Sequence, residues 1–205
     1  MKSGSPSKTQ ILNNLFPIFL KLEKLHTLIV GGGYVGLEKI TAVLDNSPAA
    51  HITLVAPEIR SEIREIADQN ARVILIKRKF SIEDLDAKDL VIVATNDKPE
   101  NKRISEIARS RHMLTNVADT PEICDFYLSS VVRKGNLKVA ISTNGMSPTL
   151  AKRLKEVLGE ALPDNLETAM QQLKEVRDML KGDFTYKVEE LNRITSVLTQ
   201  KKGDL

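Results

Sequence analysis

Three glycines at a fixed spacing are the residues of this sequence whose chemistry is easiest to specify. Gly31, Gly33 and Gly36 form the pattern G-x-G-x-x-G, directly after the apolar run 27–30 and before a segment with helical spacing of apolar residues. Between a strand and a helix, such glycines allow a tight turn, a close approach of backbone to a pyrophosphate, and close packing of the helix on the strand. The N–H groups and dipole of the helix then face the phosphates. The spacing therefore predicts a dinucleotide-binding turn, the alternative being an ordinary glycine-rich turn.

Small polar and acidic residues follow two later apolar runs, where they could take part in chemistry beside a bound cofactor. Thr95 and Asn96 come directly after the continuous apolar run 90–94, and Asp119 follows the run 113–117. Open α/β sheets bind ligands at the carboxyl ends of their strands, and a carboxylate there can face a nicotinamide ring and accept a proton. Asp119 is accordingly either a general base or an ordinary turn and capping aspartate.

The adenosine half of a dinucleotide is marked less clearly. The general fingerprint has an acidic residue at the end of the second strand, about 20 residues beyond the glycines, that binds the ribose. The run 51–55 ends instead in Val55-Ala56, and the first acid is Glu58. Glu58 either replaces the usual acid or begins the next helix. Arg60 would favour a 2′-phosphate. These residues therefore do not decide between NAD and NADP as the cofactor. The cofactor-binding residues predicted are Gly31, Gly33, Tyr34, Val35, Gly36, Pro57, Glu58, Thr95 and Asn96.

The composition is that of a globular protein without an obvious nucleic-acid or membrane surface. The net charge is +3, basic residues are interspersed with acids, and aromatic residues make up 4% with no Trp, which argues against a basic patch or a base-stacking surface. No apolar run approaches the roughly 18 residues of a membrane span, and residues 1–10 are polar with no apolar signal segment behind them. We therefore expect a cytoplasmic protein, with no nucleic acid or membrane partner and a frayed tail over residues 1–10.

Cysteine and histidine usage argues against a metal site. Cys124 is the one cysteine among 205 residues, which excludes an internal disulfide and an all-cysteine site. His26, His51 and His112 are dispersed, and an isolated histidine is more often an ordinary strand or surface residue than a ligand. No metal ligand is predicted.

Strand and helix patterns alternate through the first half of the chain. Ser81 and Asp84 have the spacing of a helix start on a short connection. The continuous apolar run 90–94 suits a strand covered on both faces. This alternation predicts an α/β fold with a doubly wound, Rossmann-like parallel sheet. Strands are expected over 27–30, 51–55, 72–76, 90–94 and 113–117, and helices over about 34–45, from Pro57 and Glu58 to about 70, and 99–111.

The alternation stops after Asp119. Residues 126–133 and 137–143 are β-rich and are joined by a segment containing Gly135, which predicts a β-hairpin with no helix between its strands.

The remainder of the sequence has a helical pattern. Ser147 and Pro148 have the types of an N-cap and a first helical residue. The pattern continues to Leu198 with interruptions at 159–164 and 182–183. The domains expected are a Rossmann domain over 11–115, a β-rich segment over 116–146 and a helical domain over 147–205.

Five short motifs follow one another along the chain: Phe16-Pro17-Ile18-Phe19-Leu20, Val30-Gly31-Gly32-Gly33, Ala94-Thr95-Asn96-Asp97, Asn116-Val117-Ala118-Asp119 and Ser147-Pro148. With these motifs, in this order, the sequence resembles precorrin-2 dehydrogenase, the N-terminal module of siroheme synthase. Some members of that family are also sirohydrochlorin ferrochelatases. The resemblance covers nearly all of the chain after the tail. It implies an NAD-binding first domain, a middle segment that forms a homodimer and a helical domain that helps to cover a tetrapyrrole.

The resemblance also implies a role for one carboxylate. In that family a hydride passes from precorrin-2 to NAD, which gives sirohydrochlorin, and a proton must leave as well. The resemblance implies that Asp119 is the base that accepts this proton. During iron insertion the same carboxylate could accept pyrrole N–H protons as ferrous ion enters.

The segment 143–148 resembles the part of the family that lies near the substrate. Its hydroxyls and the helix N-terminus that follows suit a substrate with many carboxylates. Charged residues in the first turns of the helix add charge pairing, or else form an ordinary solvated helix face. The substrate-binding residues implied are Thr143, Asn144, Gly145, Ser147, Lys152 and Arg153.

Two other functions stay open beside NAD-dependent oxidation of precorrin-2. A non-catalytic NAD-sensing module could use the same glycine turn, although it would need neither Asp119 nor the segment 144–148. A dedicated chelatase that has lost the dehydrogenase activity is disfavoured by the intact glycines.

Overall fold

The first half of the chain folds around a five-stranded parallel sheet. The computed structural model describes residues 13–196, so the tail expected over 1–10 and the helical pattern beyond residue 196 lie outside the described residues. The strand order is β3-β2-β1-β4-β5. The elements are β1 (His26–Val30), α1 (Tyr34–Asn46), β2 (His51–Val55), α2 (Ser61–Asp68), β3 (Val73–Ile76), β4 (Leu90–Val93), α3 (Lys98–Ser110) and β5 (Leu114–Val117).

The sheet is covered on both faces, which explains why its central strands are apolar throughout. All four residues of β4 are buried. Successive residues of β1 point to opposite faces, and Leu28 and Ile29 accordingly lie in two different hydrophobic clusters. One cluster contains Ile40 of α1, and the other contains Ile104 of α3. The doubly wound α/β fold expected from the alternation is confirmed.

The strand order reverses beside β1. From β1 the chain proceeds outward through β2 and β3, and then returns to the other side of β1 for β4 and β5. The loops that leave the carboxyl ends of β1 and β4 therefore run in opposite directions, and this is where doubly wound sheets form a crevice for ligands.

The loop after β2 is longer than one of the two interpretations of Glu58 required. Helix α2 begins at Ser61, so Glu58 lies in the loop and does not begin the helix. The reason is a tertiary contact, because the N–H of Arg60 donates to the carbonyl of Gly32 at 3.1 Å. The loop backbone is thus tied to the glycine turn before the helix starts.

A second short helix start was expected at Ser81. It forms a 3₁₀ turn over Ile82–Leu85, and a reciprocal capping box joins Ser81 and Asp84. The carboxylate of Asp84 also accepts two bonds from the guanidinium of Arg78, at 2.7 and 2.6 Å. These bonds fix the loop that follows β3.

Two compact units divide the chain. The first contains the sheet, up to Ser129, together with Ser142–Pro148, and the second contains Ser130–Ile141 and the residues from Thr149 onward.

No helix among the described residues is both long and apolar enough to cross a membrane. The elements that follow β5 are β6 (Ser130–Lys134), β7 (Leu137–Ile141), α4 (Pro148–Ala161), α5 (Leu166–Met179) and α6 (Phe184–Thr195).

The hairpin is shorter than expected. Strands β6 and β7 pair antiparallel across a Gly135-Asn136 turn, but residues 126–129 are not in the strand. The carbonyl of Phe126 accepts a bond from the Asn116 amide at 2.8 Å, and the Phe126 ring packs against the core of the parallel sheet. The first unit therefore holds this segment.

The helical region begins at Pro148 as expected. Helix α4 continues through Gly159 to Ala161, so the break begins at residue 162, three residues later than expected. A single glycine costs a helix about 1 kcal/mol, whereas Pro163 disfavours helical backbone at the residue before it. At the next break Asp183 caps α6, because its carboxylate accepts the N–H of Tyr186 at 2.9 Å.

Candidate functional site

The glycine turn joins the ends of three adjacent strands. The N–H of Gly31 donates to the carbonyl of Val55 on β2, and the N–H of Ala94 donates to the carbonyl of Val30 on β1. Gly31 has a φ of +121°, and a Cβ at this position would lie 2.3 Å from the carbonyl oxygen of Ala94. Only glycine therefore lets the turn pass so close to the end of β4.

The helix after the turn packs equally closely. A Cβ on Gly36 would lie 2.1 Å from the carbonyl oxygen of Gly31, so the first turn of α1 rests directly on the glycine loop. Gly33 is different, since a Cβ there would meet no atom within 4 Å. Gly33 is the N-cap residue and has no side chain to cap the helix. The first N–H groups of α1 are left for a ligand.

A cleft of about 860 Å³ opens at the switch point of the sheet. Its walls come from the ends of β1, β2 and β4, from the first residues of α1 and from the loop after β3. Eight of the nine residues expected to bind the cofactor line it: Gly31, Gly33, Tyr34, Val35, Pro57, Glu58, Thr95 and Asn96. The ninth, Gly36, does not line the cleft and packs against the Gly31 carbonyl.

The loop after β4 is held by hydrogen bonds to the first residues of α3. The hydroxyl of Thr95 donates to the Asn101 side-chain oxygen at 2.5 Å, and the Asn101 amide donates to the Thr95 carbonyl at 2.9 Å. Asp97 caps α3 by accepting the N–H of Glu100. The cleft wall beside Asn96 is thus a rigid strand-to-helix connection.

Arg60, which the sequence offered only as a residue that would favour a 2′-phosphate, lines the cleft. Its guanidinium carbon lies 3.7 Å from the centroid of the Tyr34 ring. Its Nη2 lies 2.5 Å from a carboxylate oxygen of Glu62, and that hydrogen bond lowers the pKa of Glu62 to about 2. Its Nε is buried and has no hydrogen-bond partner in the part of the chain that the structure describes.

The loop after β3 contributes a second set of residues that the sequence interpretation missed. Lys79 and Phe80 line the cleft, as does Glu100 from α3. The Arg103 guanidinium lies 5.8 Å from the Phe80 ring centroid. The rule that ligands bind at strand carboxyl ends would have identified this loop had it been applied to β3 as well as to β4.

Asp119 lies beyond the end of β5, the strand next to β4. The N–H of Ala118 donates to the carbonyl of Val93 at 2.9 Å, so the chain leaves β5 at the same edge of the sheet as the glycine turn. Asp119 is exposed and has a left-handed backbone with a φ of 57°. An exposed carboxylate in a fixed backbone can accept a proton from a bound molecule.

The residues of the cleft fit a nicotinamide dinucleotide. The free helix N-terminus at Gly33 suits a pyrophosphate. The open space at the Gly33 Cβ position leaves room for its approach. The buried Nε of Arg60 has no hydrogen-bond partner among the described residues, so this wall of the cleft has an unused donor.

A family model for NAD(P)-binding domains matches residues 18–130. The chain belongs to this NAD(P)-binding family. A second model, for the central part of sirohaem biosynthesis proteins, matches residues 134–160. The nicotinamide class of cofactor expected from the glycine turn is therefore confirmed.

Curated relatives of this NAD(P)-binding chain are named siroheme synthase. The protein of Pseudoalteromonas translucida is 36% identical over 170 residues, which cover 83% of this chain and 35% of the relative. The protein of Thioalkalivibrio sulfidiphilus is 35% identical over 150 residues, which cover 73% of this chain and 30% of the relative. The chain thus spans about a third of the length of the curated relatives it matches.

A solved structure is similar over most of its length. The protein titled "SirC, precorrin-2 dehydrogenase" superimposes with a TM-score of 0.69 at 29% sequence identity, and the match covers 88% of this chain and 89% of that chain. Together with the curated relatives, this match confirms the family resemblance inferred from the sequence motifs.

The segment expected to face the substrate is an ordered turn in the first unit of the NAD(P)-binding chain. The N–H of Met146 donates to the Thr143 carbonyl at 3.0 Å, and the N–H of Ser147 donates to the Thr143 hydroxyl at 3.1 Å. Asn144 and Gly145 both have positive φ angles, 53° and 76°. Their role in substrate binding stays a prediction.

Lys152 and Arg153 lie on α4, in the second unit. Both are exposed, and the Arg153 guanidinium pairs with Glu156 at 2.7 Å on the same helix. This pair is typical of a solvated helix face, and a substrate role for these two residues also stays a prediction.

His26 and His51 each have a polar partner. His26 Nε2 lies 2.8 Å from the Thr53 hydroxyl, and His51 Nε2 lies 2.9 Å from an Arg72 nitrogen. Over residues 13–196, no three His, Cys, Asp or Glu side chains are grouped as they would be around a metal ion.

Proposed function

We propose that this chain oxidises precorrin-2 to sirohydrochlorin, with NAD as the hydride acceptor, as a step of siroheme biosynthesis. The observation that carries the proposal is that one edge of one sheet has both a dinucleotide cleft and an acidic side chain. The cleft opens between β1 and β4, and Asp119 follows β5, the strand beside β4. The similarity to a protein titled precorrin-2 dehydrogenase supports the same reaction.

The glycine turn and the start of α1 would hold the dinucleotide. Gly31 and Gly33 bring the backbone to the pyrophosphate, and the N-terminal N–H groups of α1 donate to its oxygens. Thr95 and Asn96 border the nicotinamide side, while Pro57 and Glu58 border the adenosine ribose. When bound, NAD supplies the hydride acceptor. We favour NAD over NADP because Arg60 is already paired with Glu62.

Asp119 would act as the general base. The oxidation removes two hydrogens from the substrate, one as a hydride and one as a proton, and the proton needs an acceptor at the carbon that loses it. Asp119 is exposed at the same edge of the sheet as the cleft, where its carboxylate can accept that proton.

The substrate is a polyanion, which suits the segment 143–148. The Thr143 and Ser147 hydroxyls and the N-terminus of α4 offer donors to carboxylates. Asn144 and Gly145 shape the turn, and Lys152 and Arg153 would add positive charge on the first turns of α4.

Iron insertion into sirohydrochlorin is a second part of the proposal, because the curated relatives are named siroheme synthase. Ferrous ion would be a substrate, and Asp119 would accept the pyrrole protons that the metal displaces. Adding ferrous ion to sirohydrochlorin and the protein, without NAD, tests this activity by the change in the tetrapyrrole spectrum. No acceleration over the metal alone would exclude it.

We also propose that the protein is a cytoplasmic homodimer formed through the β6–β7 hairpin. A two-stranded sheet by itself is marginally stable, and each of its strands has one edge without a strand partner among the described residues. On α4, Leu154 and Val157 lie one turn apart and are 39% and 59% exposed. Sedimentation equilibrium tests the dimer, and a purely monomeric protein at micromolar concentration would contradict it.

The decisive experiment supplies precorrin-2 and NAD and follows the absorbance of the reduced cofactor together with the sirohydrochlorin spectrum. Both signals should rise at the same rate in the wild-type protein. Tight NADH binding without turnover would instead support the non-catalytic sensing module, and iron insertion without NAD reduction would support the dedicated chelatase.

A further inference from the structure

The backbone of Asp119 is held in an unfavourable conformation. Its φ of 57° is in the left-handed region, which costs most residues roughly 1 kcal/mol and is tolerated best by Gly, Asn and Asp. Such conformations persist only where the surrounding structure fixes them. Asp119 lies between β5 and a 3₁₀ turn over Pro121–Ile123, so the contacts that fix it should come from this loop.

The thiol of Cys124 makes those contacts. Its sulfur lies 3.2 Å from both the N–H nitrogen and the carbonyl oxygen of Val117, and 3.3 Å from the carbonyl oxygen of Thr120. The sulfur accepts the Val117 N–H, and its single proton is shared between the two carbonyls. Val117 precedes Asp119 by two residues and Thr120 follows it directly, so the thiol bonds to the turn on both sides of Asp119. The Thr120 N–H also closes this turn, by donating to the Val117 carbonyl at 3.3 Å.

The position of Cys124 is itself fixed by its neighbours. The next residue, Asp125, accepts the N–H and the hydroxyl of Thr115 on β5, at 2.9 and 2.7 Å. The carbonyl of Phe126 accepts the Asn116 amide at 2.8 Å. Burial raises the pKa of the Cys124 thiol above its ordinary value, so the group stays protonated at neutral pH and keeps its donor.

We propose that Cys124 is a positioning residue, whose thiol holds the turn 117–120 so that the Asp119 carboxylate is presented at the edge of the sheet. The proposal rests on the proposed function for the role of Asp119 as a base. The thiol does not touch the substrate and undergoes no chemistry. Its effect is exerted through the Val117 and Thr120 backbone.

Alanine and serine at this position separate the hydrogen bonds from the volume, because these two side chains differ by one hydroxyl. Cys124→Ala should lower kcat about 10- to 100-fold, the usual cost of misplacing a catalytic group by about 1 Å. Cys124→Ser keeps a donor and an acceptor and should retain kcat within about threefold of the wild type. In both variants the Kd for NADH, measured by NADH fluorescence, should change less than about twofold, because the cleft is formed by other loops.

Ser105→Ala is a matched control. The Ser105 hydroxyl lies 3.4 Å from the Ile123 carbonyl, so it contacts the same loop without touching Val117 or Thr120, and the variant should keep kcat even if it melts earlier. Equal kcat in Cys124→Ala and the wild type, or equal losses in Cys124→Ala and Cys124→Ser, would overturn the proposal.

A crystal structure of Cys124→Ala separates this proposal from the proposed function. Residue 119 should leave the left-handed region when the thiol is removed. If the wild-type protein does not oxidise precorrin-2, the proposed function fails, and the backbone of residue 119 in the variant still decides the role of the thiol. An unchanged φ at Asp119 would contradict that role.

Discussion

The guanidinium carbon of Arg60 lies 3.7 Å from the centre of the Tyr34 ring. The contact joins the loop after β2 to the first residue of α1, and both side chains line the cleft. Because the same guanidinium pairs with Glu62, its charge is partly neutralised. The balance between these two contacts should decide which dinucleotide is bound more tightly.

Removing the Glu62 carboxylate should change cofactor preference. Glu62→Gln frees the Arg60 guanidinium for a 2′-phosphate, so the affinity for NADPH should rise several-fold while that for NADH changes little. Fluorescence titration of the two reduced cofactors measures both values. Glu65→Gln removes one charge from the exposed face of the same helix and is the control. An unchanged NADPH affinity in Glu62→Gln would contradict the role given to Arg60.

Two glycine variants should separate folding from cofactor binding. Gly36→Ala places a Cβ 2.1 Å from the Gly31 carbonyl, so the melting temperature should fall. Gly33→Ala meets no protein atom within 4 Å and has an extended backbone that alanine adopts easily, so the protein should fold normally. Its NADH affinity should nevertheless fall at least about tenfold, because the methyl group occupies the pyrophosphate approach. Normal NADH binding by Gly33→Ala would show that the pyrophosphate lies elsewhere.

Asp119→Asn tests the general base with the least disturbance of the backbone. Asparagine tolerates the left-handed conformation but cannot accept the proton, so kcat should fall about 10²- to 10⁴-fold while NADH affinity and the melting temperature are kept. Glu122→Gln, an exposed carboxylate of the same loop, is the control and should keep kcat. Normal turnover by Asp119→Asn would mean that another group takes the proton. Asp119→Ala should lose the activity as well, with an added loss of stability from the strained backbone.

The pair of Asp84 and Arg78 should make the stability of the cleft wall depend on pH. The Arg78 guanidinium holds the pKa of the buried Asp84 carboxyl below its ordinary value of 3.8. A depressed pKa in the folded state stabilises the protein above the unfolded-state pKa, and this contribution is lost as the pH falls through the folded-state value. The free energy of unfolding should therefore decline between about pH 5 and pH 2 in the wild type.

Asp84→Asn should be less stable by about 2 kcal/mol at neutral pH, because it loses hydrogen bonds to a charged partner. Its stability should also decline less steeply in acid, and urea unfolding at a series of pH values measures both effects. Asp86→Asn, which breaks the exposed pair with Arg111, is the control and should change little. Parallel pH curves for the wild type and Asp84→Asn would rule out this pair as the source of the dependence.

Much of the parallel sheet could be predicted from the sequence because its signals are local. The G-x-G-x-x-G spacing, the continuous apolar run of β4 and the capping sequence from Ser81 to Asp84 each depend on neighbouring residues, and each forms as expected. The start of the hairpin was predicted less well, because Phe126 has strand propensity but packs against the core of the parallel sheet. The first hairpin strand therefore begins at Ser130.

The sequence by itself determined the glycine turn, the alternation of strands and helices, and the acid at the end of β5, because backbone sterics and hydrophobic periodicity act over a few residues. Only the tertiary structure decided that β4 lies beside β1, which opens the cleft between them. It also decided that Arg60 stacks on Tyr34 and that the Cys124 thiol closes the Asp119 turn. These contacts join residues that are brought together only when the whole sheet packs, so a pattern of neighbouring residues does not predict them.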